Sequence, residues 1–202
     1  MDLGRPYADV IPGPRGRVLS VLAQLATPVT VRALAVSAGV SPQGALDAVN
    51  DLVDAGLVAS TVAGRSRLLV LNRDHLEVGP VLELVRTRER LVRHLSDELA
   101  SWKVLAGAWL FGSAARGDGG RASDIDLLLV AETSIEDDEW VTRTGELAAH
   151  VRAWTGNEVQ LVEHTRPSFS RLVKSKNPLI ATIRSDGLPL TARTPALLRV
   201  GR

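Results

Sequence analysis

Residues 111–130 read FGSAARGDGGRASDIDLLLV, and the meaning of the rest of the chain follows from them. Gly112 and Ser113 are followed, after ten intervening residues, by Asp124 and Asp126 at the head of an apolar run. Leu110-Phe111 end one predicted strand, and Gly112-Ser113 turn tightly with backbone N–H groups free to approach a phosphate. Asp124-Ile125-Asp126 opens a second strand, where side chains alternate and both carboxylates point to one side. Two same-side carboxylates beside such a turn can hold Mg²⁺ (or Mn²⁺) against a nucleoside triphosphate. That is the outline of a phosphoryl-transfer site, where the protein supplies metal placement, charge neutralisation and alignment.

The Gly-Ser pair, Ala115-Arg116-Gly117 after it, and Ser123 directly before Asp124-x-Asp126 together resemble the signature of the polymerase-β-like nucleotidyltransferase superfamily. Within it the text is most similar to the small prokaryotic minimal nucleotidyltransferases, over roughly residues 104–190. The resemblance implies Mg²⁺-dependent transfer of a nucleoside monophosphate from an NTP, with ATP the first candidate, to a hydroxyl or amine acceptor. Small members of the family include antibiotic adenylyltransferases and antitoxins that nucleotidylate a partner toxin, so the acceptor class spans small molecules, proteins and RNA. Carried onto this chain, Asp124 and Asp126 ligate the metal, and Gly112 and Ser113 hold the β and γ phosphates. Arg116 neutralises phosphate or braces the loop, and Ser123 caps the loop or touches nucleotide.

The family usually takes a third carboxylate from the strand after the next helix, where it carries a second metal and activates the acceptor. Here that strand reads Glu158-Val159-Gln160-Leu161-Val162-Glu163, and the matching frame holds Gln160. An amide is neither a base nor a good Mg²⁺ ligand. Glu158 shares a face with Gln160, about 6.6 Å away along a strand, whereas Glu163 points to the other face. Either Glu158 substitutes as the catalytic carboxylate, or the site binds nucleotide and Mg²⁺ but transfers slowly or not at all.

Upstream, residues 31–58 read VRALAVSAGVSPQGALDAVNDLVDAGLV and resemble the helix-turn-helix of winged-helix proteins. Thr30 caps a helix through Ala38, Gly39-Val40 turns, and Ser41-Pro42 opens the next helix with Ser as N-cap and Pro at its first position. A helix from Arg15 precedes them, and two short strands, 57–62 and 68–71, follow around residues 63–66. Residues 79–101 read as one long helix with Val81, Leu84, Val85, Leu91, Leu95 and Leu99 on its stripe. The fold class expected is α+β: an N-terminal winged helix-turn-helix over 1–74, a linker helix over 75–103, and a small mixed-sheet polymerase-β-like nucleotidyltransferase domain over 104–202.

A winged helix reads DNA with basic or amide side chains at the front of its third helix. In this one the third helix holds Asp47, Asp51 and Asp54 with no Lys or Arg, and residues 1–72 carry six Arg against five Asp. Arg65 and Arg67 in the wing, with Arg32, supply a modest basic patch, and Gln43 can read a base edge. The charge is thin for a monomeric DNA binder, so a homodimer or a protein partner is the competing expectation. Lys174 and Lys176 could reach a triphosphate, and the run Glu136–Glu139 reads as a helix N-terminus. The four histidines show no metal-ligand spacing.

Composition sets the outer bounds. The 202 residues carry net charge +1, 45% hydrophobic residues and no cysteine. Disulfides and thiolate chemistry are excluded, and a reducing, cytoplasmic setting without membrane contact is the expectation. Two function classes remain: a nucleotidyltransferase coupled to a DNA-binding or interaction module, or a nucleotide-sensing transcriptional regulator or antitoxin with weak or absent turnover.

Overall fold

The computed structural model describes residues 1–64, 66–175 and 177–198. In chain order it forms α1 Gly13–Gln24, β1 Val29–Thr30, α2 Val31–Ala38, α3 Pro42–Asp54, β2 Val58–Ala63, β3 Ser66–Leu71, α4 Val78–Val85 and α5 Thr87–Ala100. It continues with β4 Leu105–Phe111, α6 Gly112–Arg116, β5 Ile125–Ala131, α7 Asp138–Thr155, β6 Val159–Thr165, α8 Arg166–Lys174, α9 Pro178–Asp186 and β7 Leu188–Pro189. Two compact units result, one of residues 5–87, the other of residues 88–202 together with 1–4.

The first unit is a winged helix-turn-helix. Its turn chemistry is the one written in the sequence: Thr30 Oγ1 accepts from Ala33 N (3.2 Å), and Ser41 Oγ accepts from Gly44 N (3.1 Å). Gly39 ends α2 in the left-handed conformation, at φ +61°, where a side chain would be strained. Val18, Leu22, Leu34, Val49, Leu52 and Leu69 are fully enclosed in its core. Its sheet has three strands in the order β1-β3-β2, the two-residue β1 pairing Val29 with Leu69. So short a strand leaves no alternation to read, and the sequence disclosed only the other two.

The expected single helix over 79–101 is two helices, divided at Arg86. Val78, Val81, Leu82 and Val85 pack into the winged-helix core, whereas Leu91, Leu95 and Leu99 pack into that of the second unit. One continuous apolar stripe therefore serves two cores, and each half follows its own. Residues 1–4 likewise pack with the second unit, where Leu3 is buried and Gly4 N donates to Gly119 O (3.0 Å).

That second unit is built on a four-stranded mixed sheet, order β6-β5-β4-β7, with β5 and β6 parallel and the other pairs antiparallel. One face carries Leu110, Ile125, Leu127 and Leu129 against Leu95, Leu99, Trp140 and Leu147 of α5 and α7. The other carries Trp109, Leu128 and Val130 against Phe169, Val173, Ile180 and Ile183 of α8 and α9. The acidic run before α7 is a helix start: Asp137 Oδ1 accepts from Glu139 N (2.9 Å), and Asp138 and Glu139 occupy the first turn, where carboxylates suit the macrodipole. Among the described residues no helix is long and apolar enough to cross a membrane.

Candidate active site

The register of the sheet assembles the site. Phe111, the last residue of β4, is paired with Asp126, and Asp126 is paired in turn with Gln160 of β6. One row across three strands thus carries the turn, a carboxylate and an amide. The Gly-Ser turn continues directly into α6, a single helical turn, with Gly112 at φ +68°. A Cβ on Gly112 would lie 2.2 Å from Asp126 Oδ2. Glycine is required there twice over, by conformation and by the approach of the carboxylate. Ser113 follows, and Gly119 lies against it, since a Cβ on that glycine would stand 3.0 Å from Ser113 Oγ.

Asp124 is exposed and Asp126 half-buried. Burial first, and then the neighbouring Asp124 charge, push the Asp126 carboxyl above its ordinary range, with Arg116 a weaker opposing influence. Among the described residues neither carboxylate accepts a hydrogen bond or forms an ion pair. Two neighbouring carboxylates with no ion-pair partner among the described residues are a hard oxygen donor set, and it fits a divalent cation that keeps other positions for water or phosphate. Among the described residues no group of three or more His, Asp and Glu side chains gathers to hold a metal.

The remaining sequence-derived residues divide. Arg116 is committed to the loop, with Nε 3.1 Å from Asp118 Oδ2 and Nη1 3.4 Å from Asp186 Oδ2. Those two carboxylates raise its pKa, and the Ser185 hydroxyl, then Arg116, lower that of Asp186. Ser123 Oγ accepts from Gly120 N (3.0 Å), its loop-capping role. Glu158 lies at the entrance of β6, where its backbone O accepts from Ile125 N (2.8 Å). Its carboxylate pairs with both terminal nitrogens of Arg152 at 2.8 and 3.1 Å, largely exposed to solvent. Glu163 lies on the α7 face and accepts from Trp140 Nε1 (2.5 Å), so it cannot join the aspartates.

Two residues that shape the site are invisible to motif reading. Arg88 of α5 donates from Nε to Ala114 O (3.1 Å) and from Nη2 to Ala115 O. Asn157, buried after α7, donates from Nδ2 to Ser123 O (2.8 Å) and Arg121 O (3.4 Å), which ties down the loop entering β5. A Gly156-Asn157 pair after a helix signals a turn, and nothing in it points 34 residues back.

In the winged helix, Gln43 Nε2 donates to Asp47 Oδ1 (2.7 Å). Arg67 donates from Nε to Ser60 Oγ (2.6 Å) and from Nη1 to Asn50 Oδ1 (2.8 Å), fastening the wing to α3. Arg32 is exposed on α2, and Asp47, Asp51 and Asp54 are exposed on α3. Arg65 and Lys176 lie outside the described residues.

No curated protein matches the chain. Solved structures with partial likeness include RV1404 from Mycobacterium tuberculosis, at 27% identity over 46% of this chain and 68% of that one, with a TM-score of 0.34. A toxin-antitoxin with AMP-PNP is 24% identical over 50% of this chain and 71% of that one, TM-score 0.33. A MarR-family transcriptional regulator from Rhodococcus sp. RHA1 is 24% identical over 50% and 83%, TM-score 0.32. Likeness at this level carries no functional argument. Residues 94–183 match the family model described as Polymerase beta, Nucleotidyltransferase. The span encloses the Gly112 turn, the aspartate pair and the three-strand row that joins them, and this part of the chain is a polymerase beta nucleotidyltransferase domain.

Proposed function

We propose that this domain transfers a nucleoside monophosphate from an NTP, ATP being the first candidate, to a hydroxyl or amine acceptor with the help of Mg²⁺ or Mn²⁺. The observation that carries the proposal is the Asp124–Asp126 carboxylate pair at the head of β5, with Asp126 set against the Gly112 turn. Asp124 and Asp126 would hold the cation. When bound, it would neutralise charge on the triphosphate and polarise the phosphorus that is attacked. The Ser113 hydroxyl and the N–H groups of the turn orient the β and γ phosphates. The acceptor oxygen or nitrogen bonds to the α-phosphorus, the bond to the bridging oxygen breaks, and pyrophosphate leaves. The acceptor proton passes to Glu158 or to water.

A second reading rests on Gln160, which occupies the row position beside Asp126. An amide there favours a domain that senses metal-bound nucleotide, as a regulator or antitoxin does, with little turnover. Incubation with NTP labelled at the α-phosphate separates the two. Label transferred to an acceptor in a lysate, and lost in Asp124→Ala and Glu158→Ala, supports transfer. Metal-dependent binding that is lost in Asp124→Ala, with no labelled acceptor, supports the sensor.

The winged helix is proposed as a DNA-binding or protein-interaction module, and the exposed aspartates of α3 favour a protein partner. Cationic contacts to phosphate give a steep salt dependence. Binding to DNA from the protein's own promoter that weakens with salt, and fails in Arg32→Ala/Arg67→Ala, would restore the DNA reading. No binding at low salt removes it.

A further inference from the structure

The α6 turn is too short to hold itself. A helix of five residues has little internal support, and its last carbonyls have no intrahelical partner. Ala114 and Ala115 are 1% and 3% exposed, so water does not complete them. The guanidinium of Arg88 does, donating to Ala114 O at 3.1 Å and to Ala115 O. Its stem passes Gly117, where a Cβ would stand 3.5 Å from Arg88 Cδ.

Among the described residues no carboxylate pairs with Arg88. A half-buried, permanently charged group is thus committed to two backbone oxygens. That arrangement fixes a peptide conformation, and a cation also suits the C-terminal end of a helical turn. At the other end of the turn the Asp126 carboxylate occupies the space that a Cβ on Gly112 would need. The N–H groups of Ser113 and its neighbours lie between these two constraints.

We infer that Arg88 is a positioning residue: it pre-orders the Gly112–Arg116 turn so that its N–H groups and the Ser113 hydroxyl converge on a triphosphate. This rests on the reading of that turn as the phosphate cradle. A turn already ordered before binding spares the ligand the cost of ordering it. Removal of the guanidinium therefore weakens nucleotide binding without touching the nucleotide. Lysine keeps the charge but lacks the planar fork that serves two carbonyls together, so it restores only part of the effect.

Amide hydrogen exchange on the nucleotide-free protein tests the ordering itself, with Mg²⁺ and a non-hydrolysable ATP analogue as the binding probe. In Arg88→Met, exchange across residues 112–117 is expected to rise by about tenfold or more while the sheet is unchanged. Kd for the analogue is expected to rise about tenfold, and Arg88→Lys to fall between the two. Arg90→Met, an exposed change on the same helix, is the control that leaves both unchanged. Exchange at 112–117 that stays within about twofold of wild type overturns the inference. If Arg88→Met does not fold, Arg88→Lys decides by the same readout. A wild-type protein that binds no nucleotide defeats the cradle reading separately, and the exchange comparison still decides whether Arg88 orders the turn.

Discussion

Replacing Asp126 by Asn should stabilise the empty protein and abolish its response to ligand. Asp124 and Asp126 flank one residue at a strand start, so their carboxylates are about 7 Å apart. Two unit charges at that distance repel by ~0.6 kcal/mol in water and ~2.4 kcal/mol at an effective dielectric of 20. Asp124 is exposed and Asp126 half-buried, so the screened end of the range applies, about 0.5–1 kcal/mol. Asn is nearly isosteric, keeps the fit against Gly112 and removes the repulsion. The melting temperature of the ligand-free variant should rise by about 1–4 °C at pH 7.5 in EDTA.

The sign with pH follows from the raised Asp126 carboxyl. Between its unfolded and folded pKa values the folded protein binds the extra proton, so wild-type stability falls as pH rises through that window. Above it the penalty is complete, and the Asn variant has its full advantage. Below the ordinary carboxylate range Asp126 is protonated in both states and the advantage disappears. Adding Mg²⁺ and a non-hydrolysable ATP analogue at about a hundred times Kd should stabilise wild type by ~2.7 kcal/mol and the variant hardly at all. The order of the two melting temperatures then inverts, readable by differential scanning calorimetry. A variant less stable than wild type in EDTA, or equally stabilised by the ligand, would refute the argument.

Gly112→Ala forces a Cβ to 2.2 Å from Asp126 Oδ2 at a φ of +68°; chemical denaturation should show a loss of about 1–3 kcal/mol together with lost nucleotide binding. Gln160→Asp installs a third carboxylate in the row beside Asp126. Calorimetric titration should show tighter Mn²⁺ binding, the ligand-free protein should melt lower, and labelled transfer should rise by about 10²-fold if a base is the missing part. Trp140→Phe removes the donor held by Glu163 at 2.5 Å and leaves that half-buried carboxylate unpaired, at a cost of about 1–3 kcal/mol in urea unfolding with nucleotide affinity unchanged.

Elements whose signal is local were legible in the sequence. The Thr30 and Ser41 caps, the Gly39 stop and the buried β5 run are each set by a few neighbouring residues, and the helices and strands stand near their expected places. The break at Arg86 was not legible, because the apolar stripe crosses it without interruption and only the existence of two cores divides it. The aspartate pair and the glycine turn were legible from spacing. Arg88 and Asn157 were not, because each acts on a segment 26 to 36 residues distant through backbone carbonyls, which carry no residue identity. Arg116 illustrates the converse. Its place in the motif suggested phosphate, and its ion pair with Asp186, 70 residues on, supports the bracing alternative.

The register of the sheet sets which residue of β6 stands beside Asp126. Because β5 and β6 are parallel and in register, each step along Asp126's row offers a single position from the neighbouring strand, and here it is Gln160. Glu163 is removed to the opposite face by alternation and held there by Trp140. That leaves Glu158, two residues before Gln160, with its carboxylate on Arg152. An exposed pair of this kind is worth about 0–1 kcal/mol, which is small beside the attraction of a divalent cation for a carboxylate. Arg152 therefore does not bar Glu158 from the site, and the decisive constraint is the geometry of the strand entrance. Arg152→Ala accordingly should change transfer by no more than about threefold in either direction. A larger gain would mean that the ion pair, and not the strand geometry, withholds the third carboxylate.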